Sequence, residues 1–204
     1  MLVDPLSPDV LIWLVNEWGT VPRAAAGEDQ APYPDTDLLA ALLAGSGVRS
    51  CPPAVLTDTA LRQVADRLHL VFAAANLSQR VDLVAGLLTE SAVTPALDLP
   101  DAHSDSHSDG HSDGHSEGQS DGRPGATWQV ADARQALLAA AALTLRHQLA
   151  EHAPDRVGVC SGRRCADAFI DASPAGQRRF CSVTCQNRAR IAAWRQRQSP
   201  SRAR

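Results

Sequence analysis

Apolar residues recur at helical spacing through most of the chain, in segments separated by proline, glycine and short polar runs. Val10, Leu11, Trp13, Leu14, Val15 and Trp18 follow Ser7-Pro8-Asp9. A serine placed to cap and a proline in the first turn predict a short helix there, buried over most of its surface. A Pro/Gly-rich loop is expected from Gly19 to Pro34. After it, Asp35 or Thr36 is placed to cap Leu38 to Ala44, and Gly45 to stop it. Thr57 caps a longer predicted helix to about Ala75, in which Leu61, Val64, Leu68 and Val71 share one face and Arg62, Asp66 and Arg67 lie outside. Ser78 begins another, with Val81, Val84, Leu87 and Leu88 facing in. From Val130 to His152 the pattern is strongly helical, with Leu137, Leu138, Leu143, Leu145 and Leu149 forming an apolar stripe and Pro154 ending it.

The periodicity collapses between Asp101 and Gly122 into His-Ser-Asp-Gly repeats, with His103, His107, His111 and His115 four residues apart. Such a sequence offers no core, so residues 100–126 read as a disordered insert. Two roles stay open for it, a surface linker and a weak metal-buffering tract. The second needs a helix that Ser, Gly and Asp disfavour.

Charge divides the chain where hydropathy does not. Residues 1–155 hold 8 arginines against 21 acidic residues, whereas 156–204 hold 11 arginines against 2 aspartates, and lysine is absent. The basic end therefore suits an anionic partner. The longest unbroken apolar run, Ala136 to Leu143, is far short of the roughly 20 residues that span a bilayer. The N-terminus lacks the basic region of a signal peptide. No membrane partner and a cytoplasmic location are the expectations.

In a reducing compartment, paired cysteines point to metal before disulfides. Four of the five fall within 26 positions, as Cys160 and Cys165 and, after a gap of 15 residues, Cys181 and Cys185. This is the count and paired spacing of a closed tetrahedral zinc site, whose four thiolates leave no position for activating water. One structural zinc is the implied cofactor. Cys51, alone beside Pro52 and Pro53, has no neighbouring base and reads as an incidental loop or core residue.

Between the pairs, Ala168-Phe169-Ile170 reads as a strand, Ser173 to Gly176 as a turn and Arg178-Arg179-Phe180 as the returning strand. Ser182 caps a final helix to roughly Arg197, with Cys181 just before it and Cys185 one turn in. A hairpin and helix with a ligand pair at each start make a treble-clef arrangement. The predicted fold class is thus mainly α: a helical N-terminal domain (1–99 and 127–154), the insert at 100–126, a treble-clef-like zinc finger (155–198) and a basic tail (199–204).

The stretch Cys160 to Arg197, including Phe169-Ile170-Asp171-Ala172-Ser173, Arg178-Arg179-Phe180-Cys181-Ser182 and Cys185-Gln186-Asn187-Arg188, resembles the CGNR zinc finger. Gln186 stands where that family has glycine. The family's usual N-terminal companion is the ABATE domain of stress-induced transcription regulators, and Leu14-Val15-Asn16-Glu17-Trp18-Gly19 is similar to the start of that domain. The resemblance implies a bacterial DNA-binding regulator.

Arginines crowd the module, and their planar forks suit phosphates and guanine edges. The nucleic-acid candidates are Arg178, Arg179, Asn187, Arg188, Arg190, Arg195 and Arg197. Arg188 and Arg195 share one helix face and Arg190 and Arg197 another. Two bland readings stand beside this one: an arginine face that is solvated or docks onto the acidic N-terminal domain, and Asn187 as a cap or brace for the zinc knuckle. Ile191 and Trp194 are expected to pack toward the hairpin, the alternative for Trp194 being stacking on nucleic acid or a partner. DNA is the leading partner, with RNA or a protein as the alternative in an adaptor role, and a homodimer possible through Trp13 and Trp18 if they are not core. Asn16, Glu17 and Arg62 are weak ligand-pocket candidates. No hydrolase triad, HExxH, P-loop or dinucleotide signature occurs, and His69, His147 and His152 sit singly in helical segments, so an enzyme is not expected.

Overall fold

Ser7 closes the first turn of α1 (Pro8–Trp18), its Oγ accepting from the Val10 N–H at 3.3 Å. Val10, Leu11, Leu14, Val15 and Trp18 are buried along this helix. The computed structural model describes residues 1–35, 37, 56–98 and 124–198. The predicted helix at 38–44, Cys51, the histidine tract and the basic tail lie outside them. Among the described residues the chain forms six α-helices and two small sheets.

The predicted loop after Gly19 instead contains α2 (Thr20–Ala26). Its N-terminus is capped from far away: the Asp66 carboxylate accepts from Thr20 N–H at 2.6 Å and from Thr20 Oγ1 at 2.8 Å. Arg23, 5% exposed, then donates to the Glu17, Glu28, Ala31 and Pro32 carbonyls and lies over Tyr33. The tight α1–α2 junction requires Gly19, because a Cβ there would fall 2.3 Å from the Val15 carbonyl oxygen.

Thr57 caps α3 (Asp58–Ala73), whose buried face carries Leu61, Ala65, Leu68, His69, Val71 and Phe72. Asn76, not Ser78, caps α4 (Leu77–Glu90), where Val84 and Leu87 face in. Val81 turns outward, and Arg80 takes the inner position because it satisfies the Val71 and Ala74 carbonyls at the end of α3. An ion pair between Arg67 and Glu90 ties the two helices on the surface.

The helix expected from Val130 starts later, as α5 (Ala136–Glu151), after a short 3₁₀ turn capped by Asp132. Every residue from Ala136 to Leu145 is buried. The alanine run lets the Leu6 segment approach closely enough for Leu6 N–H to reach the Ala140 carbonyl and for Thr144 Oγ1 to donate to the Leu6 carbonyl at 2.8 Å.

A sheet that the helical pattern concealed lies beside these helices. β1 (Leu2–Val3) and β2 (Thr94–Asp98) flank β3 (Gly125–Gln129), all antiparallel, with Asp98 opposite Gly125. The histidine tract therefore connects the two strands of a hairpin. Gly125 and Ala126, which composition groups with the insert, pair with Asp98 and Leu97.

After α5 the chain enters β4 (Val157–Val159), which pairs with β5 (Ala168–Ile170) in the register Val157 to Ile170, Gly158 to Phe169 and Val159 to Ala168. The final helix is α6 (Val183–Gln198). The returning strand expected at 178–180 does not form. Its place opposite β5 is taken by β4, and the 171–180 segment is held by side chains instead. Val157 and Ala168 belong to the same buried cluster as α1, α3 and α5, so the C-terminal hairpin is packed into the helical core.

The docking is polar as well as apolar. The Asn16 side chain on α1 pairs with the backbone of Ala168 in both directions, accepting its N–H at Oδ1 (2.8 Å) and donating from Nδ2 to its carbonyl (3.2 Å). His69 Nε2 meets the Ala166 carbonyl at 2.8 Å. Replacing Asn16 by alanine strands a buried N–H and a carbonyl at once. Asn16→Ala is expected to cost about 2–6 kcal/mol in urea denaturation, at roughly 1–3 kcal/mol for each buried group left without a partner.

Candidate metal centre and basic face

The first cysteine pair sits at the tip of the β4–β5 hairpin and the second at the head of α6. Cys160 N–H donates to the Asp167 carbonyl at 2.8 Å, and Cys165 N–H to the Gly162 carbonyl at 3.2 Å, folding 160–167 into a tight knuckle. Arg164 takes a left-handed backbone (φ 62°) to complete it. Gly162 is needed for proximity: a Cβ there would sit 3.3 Å from Cys160 Sγ and 3.5 Å from the Cys185 Cβ. Its N–H points at Cys160 Sγ, 3.4 Å away. At the other pair, Ser182 Oγ accepts from Cys185 N–H and its carbonyl from Gln186 N–H, which starts α6 with Cys185 one turn in.

All four sulfurs lie within 4.8 Å of one another, and the Cys165–Cys181 and Cys181–Cys185 separations are both 3.6 Å. A tetrahedral zinc with Zn–S bonds of about 2.3 Å requires sulfurs about 3.8 Å apart. The donor set therefore fits one structural zinc ion, with Cys160 and Cys185 buried and Cys165 and Cys181 half-buried. Without metal, Cys165 and Cys181 resist ionisation. Burial pushes the Cys165 thiol up to about 12 and drives Cys181 up as well. Burial also opposes the Cys185 thiolate, but Ser182 and the neighbouring thiols together hold its pKa below the ordinary value. Zinc binding must displace these protons, so metal affinity rises with pH.

A second set of interactions, centred on Asp171, holds the loop that carries the chain from β5 to Cys181. The Asp171 side chain is buried, its Oδ1 accepting from Ser173 N–H and its Oδ2 from Arg178 N–H, both at 2.8 Å. The bonds from Ser173 and Arg178 hold its carboxyl down to about 2, against a smaller opposing effect of burial. Arg156 braces the same loop from outside, donating to the Asp171 and Ser173 carbonyls. Neither residue was a site candidate from sequence. The available signal was Asp171-Ala172-Ser173 followed by proline, an Asx-type turn opening.

The candidate nucleic-acid residues divide into two groups. Arg178 is a brace: its guanidinium donates to the Phe180 and Cys181 carbonyls and lies over the Phe169 ring. Arg179, Asn187, Arg188, Arg190, Arg195 and Arg197 are exposed, as are Arg163 and Arg164 on the knuckle. Cys185 is the one buried residue of α6, which has no extensive packing against another element among the described residues. Ile191 and Trp194 do not pack toward the hairpin. They are 51% and 56% exposed, and Val183 is 70% exposed. The physical reason is that β4, not a strand at 178–180, partners β5, which leaves no strand beneath the outer face of α6 among the described residues.

Of the ligand candidates Asn16, Glu17 and Arg62, Asn16 lines the cavity of about 340 Å³ between α1 and the module. Asn16 also pairs with Ala168, Arg62 is exposed, and neither Glu17 nor Arg62 lines that cavity. Glu17 is half-buried, with its pKa raised by burial and next by Glu28. Trp18 is fully buried and Trp13 half-buried against it in an edge-to-face contact, which places the tryptophan pair in the core. No helix among the described residues is long and apolar enough to cross a membrane.

The family model of the CGNR zinc finger matches residues 156–198. That span begins at Arg156, which braces the Asp171 loop, and ends at the last residue of α6. No curated protein matches the chain.

Proposed function

We propose that the chain is a DNA-binding transcription regulator whose zinc module, treble-clef-like in plan, presents α6 and its arginines to duplex DNA. The carrying observation is that the guanidinium groups of α6 are exposed and make no hydrogen bond or ion pair with another described residue. A basic helix fixed by its N-terminus to a metal cluster, on a module with 9 arginines and 2 aspartates in the matched span, is suited to a polyanion. Four thiolates around zinc give no catalytic position, which supports a binding role over an enzymatic one. In this reading the acidic helical domain, ABATE-like by its Asn16-Glu17-Trp18-Gly19 segment, senses a ligand or dimerises, and the protein works in the cytoplasm.

Exposed Ile191 and Trp194 favour one competing reading, an adaptor that holds RNA or an acidic protein. Electrophoretic mobility of the zinc-loaded chain with duplex DNA, structured RNA and single strands of equal length separates the two. Duplex DNA bound at least tenfold more tightly than RNA supports the regulator. Preference for RNA, or recovery of one stoichiometric protein without nucleic acid, supports the adaptor.

A further inference from the structure

Resting on the DNA-binding reading above, we propose that α6 lies in the major groove with Asn187, Ile191 and Trp194 toward the base edges, while two arginine rows hold the flanking phosphates. At about 100° per residue, Val183, Trp194, Asn187 and Ile191 form one outward stripe on α6. Arg190 and Arg197 lie about 80° to one side of its centre, and Arg188 and Arg195 about 80° to the other. The rows are thus nearly opposite one another across the helix. Cys185, Gln186, Ala189, Ala192 and Ala193, which carry the buried and half-buried positions, make the inner face.

This arrangement specifies its occupant. A buried helix would not carry arginines on both sides of its apolar stripe, and a solvated one has no use for Val183, Ile191 and Trp194 at half exposure or more. A second copy of α6 would bring arginine rows against arginine rows, a like-charge juxtaposition that opposes association. Duplex DNA reverses that sign, since its two phosphate strands border a groove about 12 Å wide that admits one helix. Within the groove, a carboxamide such as that of Asn187 pairs with the N6 and N7 edge of adenine, and apolar groups such as Ile191 and Trp194 meet thymine methyls. The zinc cluster fixes the N-terminal end of α6 and therefore the angle at which it enters.

The arginines then position the helix and the stripe carries sequence preference. The test takes the full zinc-loaded chain through selection from a randomised duplex pool, then compares affinity for the selected duplex and the unselected pool. Asn187→Ala and Trp194→Ala are expected to reduce that ratio by about tenfold, the scale of one lost base contact, with the salt slope unchanged. The Arg188→Ala, Arg195→Ala double variant is expected to weaken both duplexes alike and to lower the salt slope by about 2. Helical circular dichroism and one bound zinc per chain confirm that each variant is folded. The inference is overturned if stripe variants keep the selected-to-pool ratio while the wild type binds DNA, or if Trp194→Ala converts a dimer to a monomer in sedimentation. Failure of the wild type to bind any duplex at 50 mM salt overturns the functional reading as well, so the two failures are distinguishable.

Discussion

Stripped of zinc by a strong chelator, the chain is expected to lose the ordered structure of residues 156–198 while α1, α3, α4 and α5 persist. Structural zinc supplies on the order of 10–16 kcal/mol in small metal-folded peptides. The module has little to replace it. Phe169, Val157 and Ala168 are its buried hydrophobics besides the ligands, and α6 buries Cys185 alone. A helix of 16 residues that buries so little of its surface is marginal in water. Far-ultraviolet dichroism should therefore fall by roughly the content of α6, and limited proteolysis should open first after Val159. Cys165→Ser should reproduce the effect in the presence of zinc, whereas Cys51→Ser should keep one metal per chain. The helical domain will not be indifferent, because Val157 and Ala168 are part of its core and Asn16 and His69 hold the knuckle backbone. Its own melting temperature is expected to drop on metal removal. A chelated protein with unchanged dichroism and proteolytic pattern would remove the metal from the folding argument.

Binding to duplex DNA is expected to be steeply dependent on salt. If six arginines each neutralise one phosphate, affinity falls about a thousandfold between 50 and 200 mM salt; the four arginines of α6 alone give about a hundredfold. The structure narrows the candidates to seven. Arg178 is withdrawn, since its guanidinium is taken up by the Phe180 and Cys181 carbonyls and the Phe169 ring. Arg163, Arg164 and Arg179, exposed beside the metal cluster, are available to supplement Arg188, Arg190, Arg195 and Arg197. Titrations at four salt concentrations give the slope directly. A value near zero would mean that the arginines serve solubility and that recognition, if any, lies elsewhere.

Arg178 illustrates where sequence reasoning stops. Its neighbours and charge made it look like Arg179, but whether a guanidinium is free depends on the carbonyls that the chain leaves within reach. The same limit applies to β2 and β3. Their apolar positions are few, and their pairing brings together residues on either side of the histidine tract. No local pattern encodes that contact. The start of α2 was hidden for a related reason, since its cap is Asp66, 46 residues away from Thr20. By contrast Ser7, Thr57 and Ser182 cap N–H groups three residues on, and each was legible from its own neighbourhood.

Spacing alone determined the metal site. Cysteine pairs separated by four and three residues can reach one ion through short local loops, whatever the rest of the fold does. Local capping and periodicity likewise determined α1, α3 and α6. Tertiary structure decided which strand partners β5, that the module is fused to the helical core through Asn16 and His69, and that Ile191 and Trp194 face solvent rather than the hairpin. Hydrogen bonds and ligand geometry within a few residues are written in the local sequence. The side on which a helix finds a neighbour is set by contacts across more than a hundred residues, and for α6 that neighbour is absent among the described residues.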